Sequence, residues 1–153
     1  MEYSLNISKV ITLASNFRKA ILLVPRSELP WNSSMAISQF PKGCCGDTSQ
    51  TLATYLYSEL NLVCNYVLGS NNDLGTHAWL EHNGIVIDIT ADQFNDRGFD
   101  SPRVHVGNKL NLHQSFDTTV SADGRHTSLS DSGSLSGAYA CILKYLHLID
   151  NIE

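Results

Sequence analysis

The sequence predicts a mixed α+β domain, and three observations support this fold class. Helical periodicity occurs near the N-terminus, after Cys45 and near the C-terminus, and an Asn-Gly pair separates two short alternating runs between them. The chain has 153 residues, which is the usual size of one domain, and we expect a single domain over residues 1–153. Its composition, 42% hydrophobic and 16% charged, is typical of a folded chain.

The first predicted helix lies at the start of the chain. Apolar residues recur three and four positions apart from Ile7 to Ile21, with Asn6 or Ser8 as its cap, and Pro25 ends it. A flanking C-terminal helix is predicted over residues 136–149 by the same spacing.

The second predicted helix follows a polar loop over residues 31–43. It begins at or just after Cys45, and Leu52, Leu56 and Leu60 fall on one face, four residues apart. Further along the chain, residues 62–68 and 104–106 have the composition of strands. The Ser-, Thr- and Gly-rich residues 118–137 lack an apolar period, so we expect a mobile loop there.

The central feature is a predicted hairpin with Asn83-Gly84 as its two-residue loop. In that register His82 faces Ile85, and side chains alternate between two faces. The apolar face carries Ala78, Leu80, Ile85, Ile87 and Ile89, and the mostly polar face carries His77, Trp79, Glu81, Val86, Asp88 and Thr90.

His77 and Asp88 are therefore diagonal neighbours, with Cβ atoms roughly 7 Å apart. A carboxylate at this position can orient an imidazole and stabilise its charged form, as a catalytic base requires. Taken alone, the pair is more simply explained as part of a solvated hairpin face.

Cys45 adds a nucleophile to this pair. It stands at a predicted helix N-terminus, where free N–H groups and the helix dipole favour a thiolate and can hold an oxyanion. Cys64 and Cys141 are better explained as buried apolar residues, and Cys44 as a buried neighbour. Cys45, His77 and Asp88 thus have the residue types of a nucleophile, a base and an orienting group.

The same residues resemble the transglutaminase-like and papain-like superfamily of cysteine enzymes. Gly43-Cys44-Cys45-Gly46-Asp47 resembles the G-x-C-x-D element of its nucleophile helix, Gly75 to Glu81 resembles the G-x-H-A-W-x-E strand, and Asp88-Ile89-Thr90 resembles D-x-T. The resemblance covers residues 43–90. Uncharacterised bacterial proteins have similar sequence elements. It implies a nucleophile helix packed on an antiparallel sheet that carries the histidine and the aspartate.

The resemblance also implies cysteine-dependent acyl transfer on amides or thioesters, with a protein or peptide as substrate. Gln39 and Gln93 are candidates for the oxyanion site, and Trp79 for a wall of the substrate cleft. Water as acceptor would make the chain a peptidase or glutamine deamidase, which its small size favours, and an amine would make it a transglutaminase. The alternatives are a binding or immunity module with a vestigial triad and, ranked last, a Cys44–Cys45 disulfide switch.

Charge and hydropathy exclude other classes of function. The net charge of −5 without a basic cluster argues against nucleic acid, and no apolar run is long enough for a membrane span. The order of charges at the N-terminus is unlike a secretory signal, and four cysteines without paired spacing fit a reduced, cytoplasmic protein, with secretion by another route as the alternative. We expect no metal and no cofactor, because the six histidines are scattered.

Overall fold

The computed structural model describes residues 5–125 and 134–152 and confirms the α+β class. An open antiparallel sheet of five strands has the order β4-β3-β2-β1-β5, and helices pack against it. The α-helices are α1 Ile7–Leu23, α2 Ser34–Ile37, α3 Cys45–Leu60, α4 Asn111–Gln114 and α5 Ser134–Ile152, with 3₁₀ helices at Arg26–Glu28 and Ala91–Arg97. The strands are β1 Asn65–Asn71, β2 Gly75–His82, β3 Ile85–Asp88, β4 His105–Gly107 and β5 Asp117–Ser121.

Helices α1 and α3 form where the apolar spacing predicts them. The side chain of Asn6 caps α1 by accepting a hydrogen bond from the N–H of Lys9. Helix α3 begins at Cys45, directly after the loop, and ends at Leu60, because the next residue, Asn61, has a left-handed conformation (φ 56°) that stops the helix. The predicted start of the second helix is therefore confirmed.

The hairpin has the predicted register. Leu80 pairs with Ile87, and His82 pairs with Ile85. Asn83 and Gly84 both have positive φ, at 48° and 82°, which is the geometry that a two-residue loop of this kind requires.

Both faces of the hairpin are buried, which corrects the expectation of a solvated polar face. Leu80 and Ile87 pack into a large core with the inner faces of α1, α3 and α5. On the opposite face, Trp79 and Val86 pack into a second, smaller core. That core is completed by Val67, Ala91, Phe94, Leu112 and Phe116. Two segments after β3, at residues 91–94 and 112–116, thus cover the face that carries His77 and Asp88.

Three loop and strand assignments differ from the sequence-based expectation. Strand β1 begins at Asn65, later than predicted, and the polar loop over residues 31–43 contains the short helix α2. Residues 118–121 of the expected 118–137 loop belong to β5, an exposed edge strand that backbone pairing with β1 stabilises without an apolar face. Residues 134–137 begin α5, and residues 126–133 lie outside the described residues.

A buried arginine ties α1 to the end of the hairpin. Arg18 Nη1 donates to the carbonyl of Ile89 at 2.8 Å and to that of Arg103 at 2.9 Å. The same guanidinium forms a bidentate ion pair with Asp92, in which Nη1 lies 2.7 Å from Oδ1 and Nη2 lies 2.9 Å from Oδ2. Because Asp92 follows β3 closely, this contact fixes the turn at residues 89–93.

Among the described helices, none is long and apolar enough to span a membrane.

We predict that Arg18→Leu lowers the free energy of unfolding by about 3 kcal/mol, because it leaves a largely buried carboxylate and two carbonyls without their donor. Urea titration followed by circular dichroism measures this effect. Lys19→Leu, at an exposed neighbouring position, is the control and should change stability little. Equal losses in the two variants would contradict the role given to Arg18.

Candidate active site

The predicted contact between His77 and Asp88 is present. His77 Nε2 lies 2.7 Å from Asp88 Oδ2, and the two residues are 0% and 2% exposed. Strands β2 and β3 hold them on the same face of the sheet, as the register requires. The dyad is thus a fully buried hydrogen bond beneath the segment that covers the sheet.

Asp88 accepts hydrogen bonds on both carboxylate oxygens. Oδ2 also accepts from His113 Nε2 at 2.8 Å, and Oδ1 accepts from the Thr90 N–H at 2.9 Å and the Thr90 hydroxyl at 3.3 Å. Burial alone would raise the pKa of Asp88, but the charge of His77 and the histidine hydrogen bonds hold that pKa well below its usual range. Asp88 is therefore an ionised carboxylate in a dry site.

Cys45 joins this pair from the first residue of α3. It is half-buried, and burial alone would raise the pKa of its thiol. A hydrogen bond with His77, the charge of His77 and the backbone of Ala78 outweigh burial and lower that pKa. Because Asp88 lies at Nε2 of His77, a proton from the thiol can pass to the ring only at Nδ1, where the amide of Gln93 also lies, 3.2 Å away.

His77 receives opposite influences from its surroundings. Burial alone would lower its pKa, whereas the charge and hydrogen bond of Asp88, followed by the contact with Cys45, raise that pKa to about 9. The two pKa directions favour transfer of the Cys45 proton to His77. The arrangement can thus supply a thiolate and an imidazolium.

The backbone at the start of α3 is also suited to an anion. The N–H groups of Cys45 and Gly46 precede the first hydrogen bond of the helix, which runs from Thr48 N–H to the Cys44 carbonyl. A Cβ atom built on Gly46 would lie 3.1 Å from the Tyr66 hydroxyl oxygen, so this hydroxyl closely adjoins the first turn. Tyr66 is a neighbour of the site that the sequence did not indicate.

Gln93 lies at the site, next to the ring of His77, and its oxyanion role stays a prediction. Its Nε2 lies 3.2 Å from His77 Nδ1 and 3.0 Å from the Thr90 carbonyl, so both amide hydrogens have acceptors. In this arrangement Gln93 has no hydrogen left for an oxyanion. It instead donates to the ring nitrogen that would take the proton of Cys45.

The other two predicted residues lie in contrasting environments. Gln39 is exposed on the loop before α3, and its oxyanion role stays a prediction. Trp79 is 0% exposed and donates its indole N–H to Glu81 at 3.1 Å. The expectation that Trp79 walls an open cleft is therefore wrong, because the second core covers this side chain. The centroids of the Trp79 and His77 rings are 5.4 Å apart.

The loop before Cys45 contacts two parts of the site. The Ser34 hydroxyl donates to Asp47 at 2.5 Å, which holds α2 against the first turn of α3. Lys42 pairs with Asp96 of the 3₁₀ helix at 2.9 Å, and both side chains are exposed. The second contact connects the loop before Cys45 with the 3₁₀ helix that carries Gln93.

His113 is a residue of the site that the sequence did not indicate. This residue lies on the short helix α4, far from the recognised motifs, and no local pattern marks it. Only the fold of residues 108–116 over the sheet brings it to Asp88.

His77, Asp88 and His113 also offer ligand atoms within 4.8 Å of one another, as a metal site would. Their hydrogen bonds fit a different arrangement. Nδ1 of His113 accepts from the Leu110 N–H at 3.1 Å, and Nδ1 of His77 accepts from Gln93, so each neutral ring carries its proton on Nε2. A protonated nitrogen cannot bind a metal, and the usual second partner of a metal-bound histidine is an acceptor. The cluster therefore fits two donors on one carboxylate.

Comparison with known proteins adds no relative: no family model, no curated protein and no solved structure gives a significant match to this chain. The functional interpretation accordingly depends on the geometry of the site.

We predict that Gln93→Met lowers the pH at which Cys45 becomes a thiolate by roughly half a pH unit to one pH unit, because the amide hydrogen bond to Nδ1 stabilises only the neutral ring of His77. The rate of iodoacetamide alkylation at Cys45 against pH measures this. Gln39→Met is the matched control and should leave the profile in place. An unchanged profile in Gln93→Met would mean that the amide does not influence the ring.

We predict a pH-dependent stability in a Cys45→Ala variant. In this variant Asp88, the main cause of the raised pKa of His77, remains, so the folded chain still binds the His77 proton more tightly than the unfolded chain. The free energy of unfolding should therefore fall as pH rises above 6.5. In the unmutated chain the lowered pKa of Cys45 acts in the opposite direction and flattens the dependence. Urea titrations at several pH values measure both slopes.

The control for this slope is Cys45→Ala combined with Asp88→Asn. Without the carboxylate, the raised pKa of His77 loses its main cause, and the decline above pH 6.5 should largely disappear. A decline that persists in the double variant would locate its source elsewhere.

Proposed function

We propose that this protein is a transglutaminase-like cysteine enzyme that transfers acyl groups from amides, with a protein or peptide as its substrate. The observation that carries the proposal is a buried imidazole that a carboxylate holds on one nitrogen and that lies beside a thiol at a helix N-terminus. Asp88 holds Nε2 at 2.7 Å, and the thiol of Cys45 at a helix N-terminus has a lowered pKa because of His77. These are the roles of a nucleophile, a base and an orienting group.

In the proposed reaction, Cys45 Sγ attacks the carbonyl carbon of an amide as its proton passes to His77 Nδ1. The oxyanion that forms is stabilised by the N–H groups at the start of α3. His77 then returns the proton to the amide nitrogen, the C–N bond breaks, and a thioester on Cys45 remains. Water, deprotonated by His77, attacks the thioester and releases a carboxylic acid and the thiol.

Asp88 remains ionised throughout this cycle. Its donors, His77, His113 and Thr90, hold the carboxylate in place, so it stabilises the imidazolium without taking the proton. Gln93 must release Nδ1 when that nitrogen becomes protonated, because two N–H groups cannot share a hydrogen bond. We therefore propose that the side chain of Gln93 turns away as the thiolate forms.

The first test is selective alkylation at neutral pH, with the modified cysteines identified by mass spectrometry. We predict that Cys45 reacts at least about a hundredfold faster than Cys44, because burial raises the pKa of Cys44 to about 11 and that of Cys64 to about 12. His77→Gln should remove the advantage of Cys45, and Cys44→Ala should preserve it. Equal labelling of Cys44 and Cys45 would favour a binding module with a vestigial triad.

Turnover is tested with three probes that separate the acyl acceptors and substrates. Cleavage of an unfolded protein would indicate a peptidase, ammonia release from an N-blocked glutamine peptide a deamidase, and incorporation of a fluorescent primary amine into that peptide a transglutaminase. Cys45→Ser should abolish any turnover, and Cys44→Ser should retain it. Turnover that survives Cys45→Ser would overturn the proposal.

A further inference from the structure

His113 is a buried histidine whose two ring nitrogens both have defined partners. It is 2% exposed, and its Nδ1 accepts the backbone N–H of Leu110 at 3.1 Å. Since a backbone N–H only donates, the neutral ring must carry its proton on Nε2. That proton points to Asp88 Oδ2, 2.8 Å away.

Two imidazole N–H groups therefore donate to the same carboxylate oxygen. His77 Nε2 lies 2.7 Å from Oδ2, and His113 Nε2 lies 2.8 Å from it. Each donor draws on the negative charge of that oxygen, so the second hydrogen bond reduces how strongly Asp88 stabilises a charged His77. The second donor also fixes the rotation of the carboxylate, together with Thr90 on Oδ1.

We propose that His113 is a positioning residue that acts through Asp88: it fixes the carboxylate and limits how tightly the carboxylate holds the imidazolium of His77. Its catalytic meaning rests on the proposed function, because a base that keeps its proton too tightly cannot return it to the leaving group.

The groups around His113 have their own hydrogen-bond partners. His105 of β4 stacks on His113 with ring centroids 6.0 Å apart, but its Nε2 lies 2.6 Å from the Asn108 carbonyl. Trp79 of β2 also packs against His113, with ring centroids 4.8 Å apart, and donates its indole N–H to Glu81. Glu81 in turn lies 3.9 Å from Lys109 Nζ. Asp88 is thus the acceptor toward which the Nε2–H of His113 is directed.

The test is nitrogen-15 NMR of the histidine rings against pH, with two substitutions at residue 113. In His113→Phe, which keeps the ring volume and removes the donor, the midpoint for loss of the His77 imidazolium proton should rise by about one pH unit. In His113→Gln, whose amide can donate from the position of Nε2, it should stay near its original value. His105→Phe is the matched control and should leave the midpoint unchanged.

The same variants have a second readout in alkylation of Cys45. If His77 holds its proton more tightly in His113→Phe, the thiolate should persist to lower pH, and the acid limb of the rate profile should shift accordingly. A purely structural role for His113 would alter stability without moving either midpoint. An unchanged or lowered His77 midpoint in a folded His113→Phe variant overturns the proposal.

The NMR result is separable from the proposed function. It is measured without substrate, whereas the enzyme proposal fails if Cys45 has no selective reactivity. If His113→Phe does not fold, the tautomer of His113 in the unmutated protein decides: its spectra should show the proton of the neutral ring on Nε2. A neutral ring that carries its proton on Nδ1 overturns the inference.

Discussion

The site depends on one buried carboxylate. Removing the charge of Asp88 from water is costly, and the cost is offset only if the carboxylate is hydrogen-bonded and faces a positive charge. His77, His113 and Thr90 provide these contacts from three different parts of the chain. Each contact orients a functional group as well as stabilising the charge. The requirement to satisfy Asp88 therefore defines the geometry of the whole cluster.

The second core excludes water from the face of the hairpin that carries His77 and Asp88. Phe94 and Phe116 approach the ring of His77, with centroids 5.1 and 5.9 Å away, whereas Cys45 near the ring is only half-buried. In so dry a site an ion pair between thiolate and imidazolium is stronger than in water. Gln93 opposes that ion pair by donating to the neutral ring. The resting state is thus set by a balance between Asp88 on one nitrogen and Gln93 on the other.

Local features of the sequence predict the parts of the molecule that depend on nearby residues. Asn83-Gly84 and the alternation around it predict the register, and that register places His77 beside Asp88. The loop before Cys45 and the apolar spacing after it predict α3. What the sequence does not reveal is set by contacts between distant segments: the covering of the sheet by residues 91–94 and 112–116, the arrival of His113, and the pairing of β5 with β1. A histidine on a four-residue helix and a strand with both faces exposed lack the periodicity on which such predictions depend.

The contact between Arg18 and Asp92 has a practical consequence for how the protein is dissected. The recognised motifs lie between residues 43 and 90, and a fragment trimmed to them would look like a minimal catalytic unit. Such a fragment would omit α1, whose guanidinium anchors the backbone next to Gln93 and fills the space between the carbonyls of Ile89 and Arg103. Expression boundaries chosen from motif positions alone would therefore remove the Arg18 contacts that hold the backbone beside the candidate site. Shortened forms of the protein need to retain the first helix.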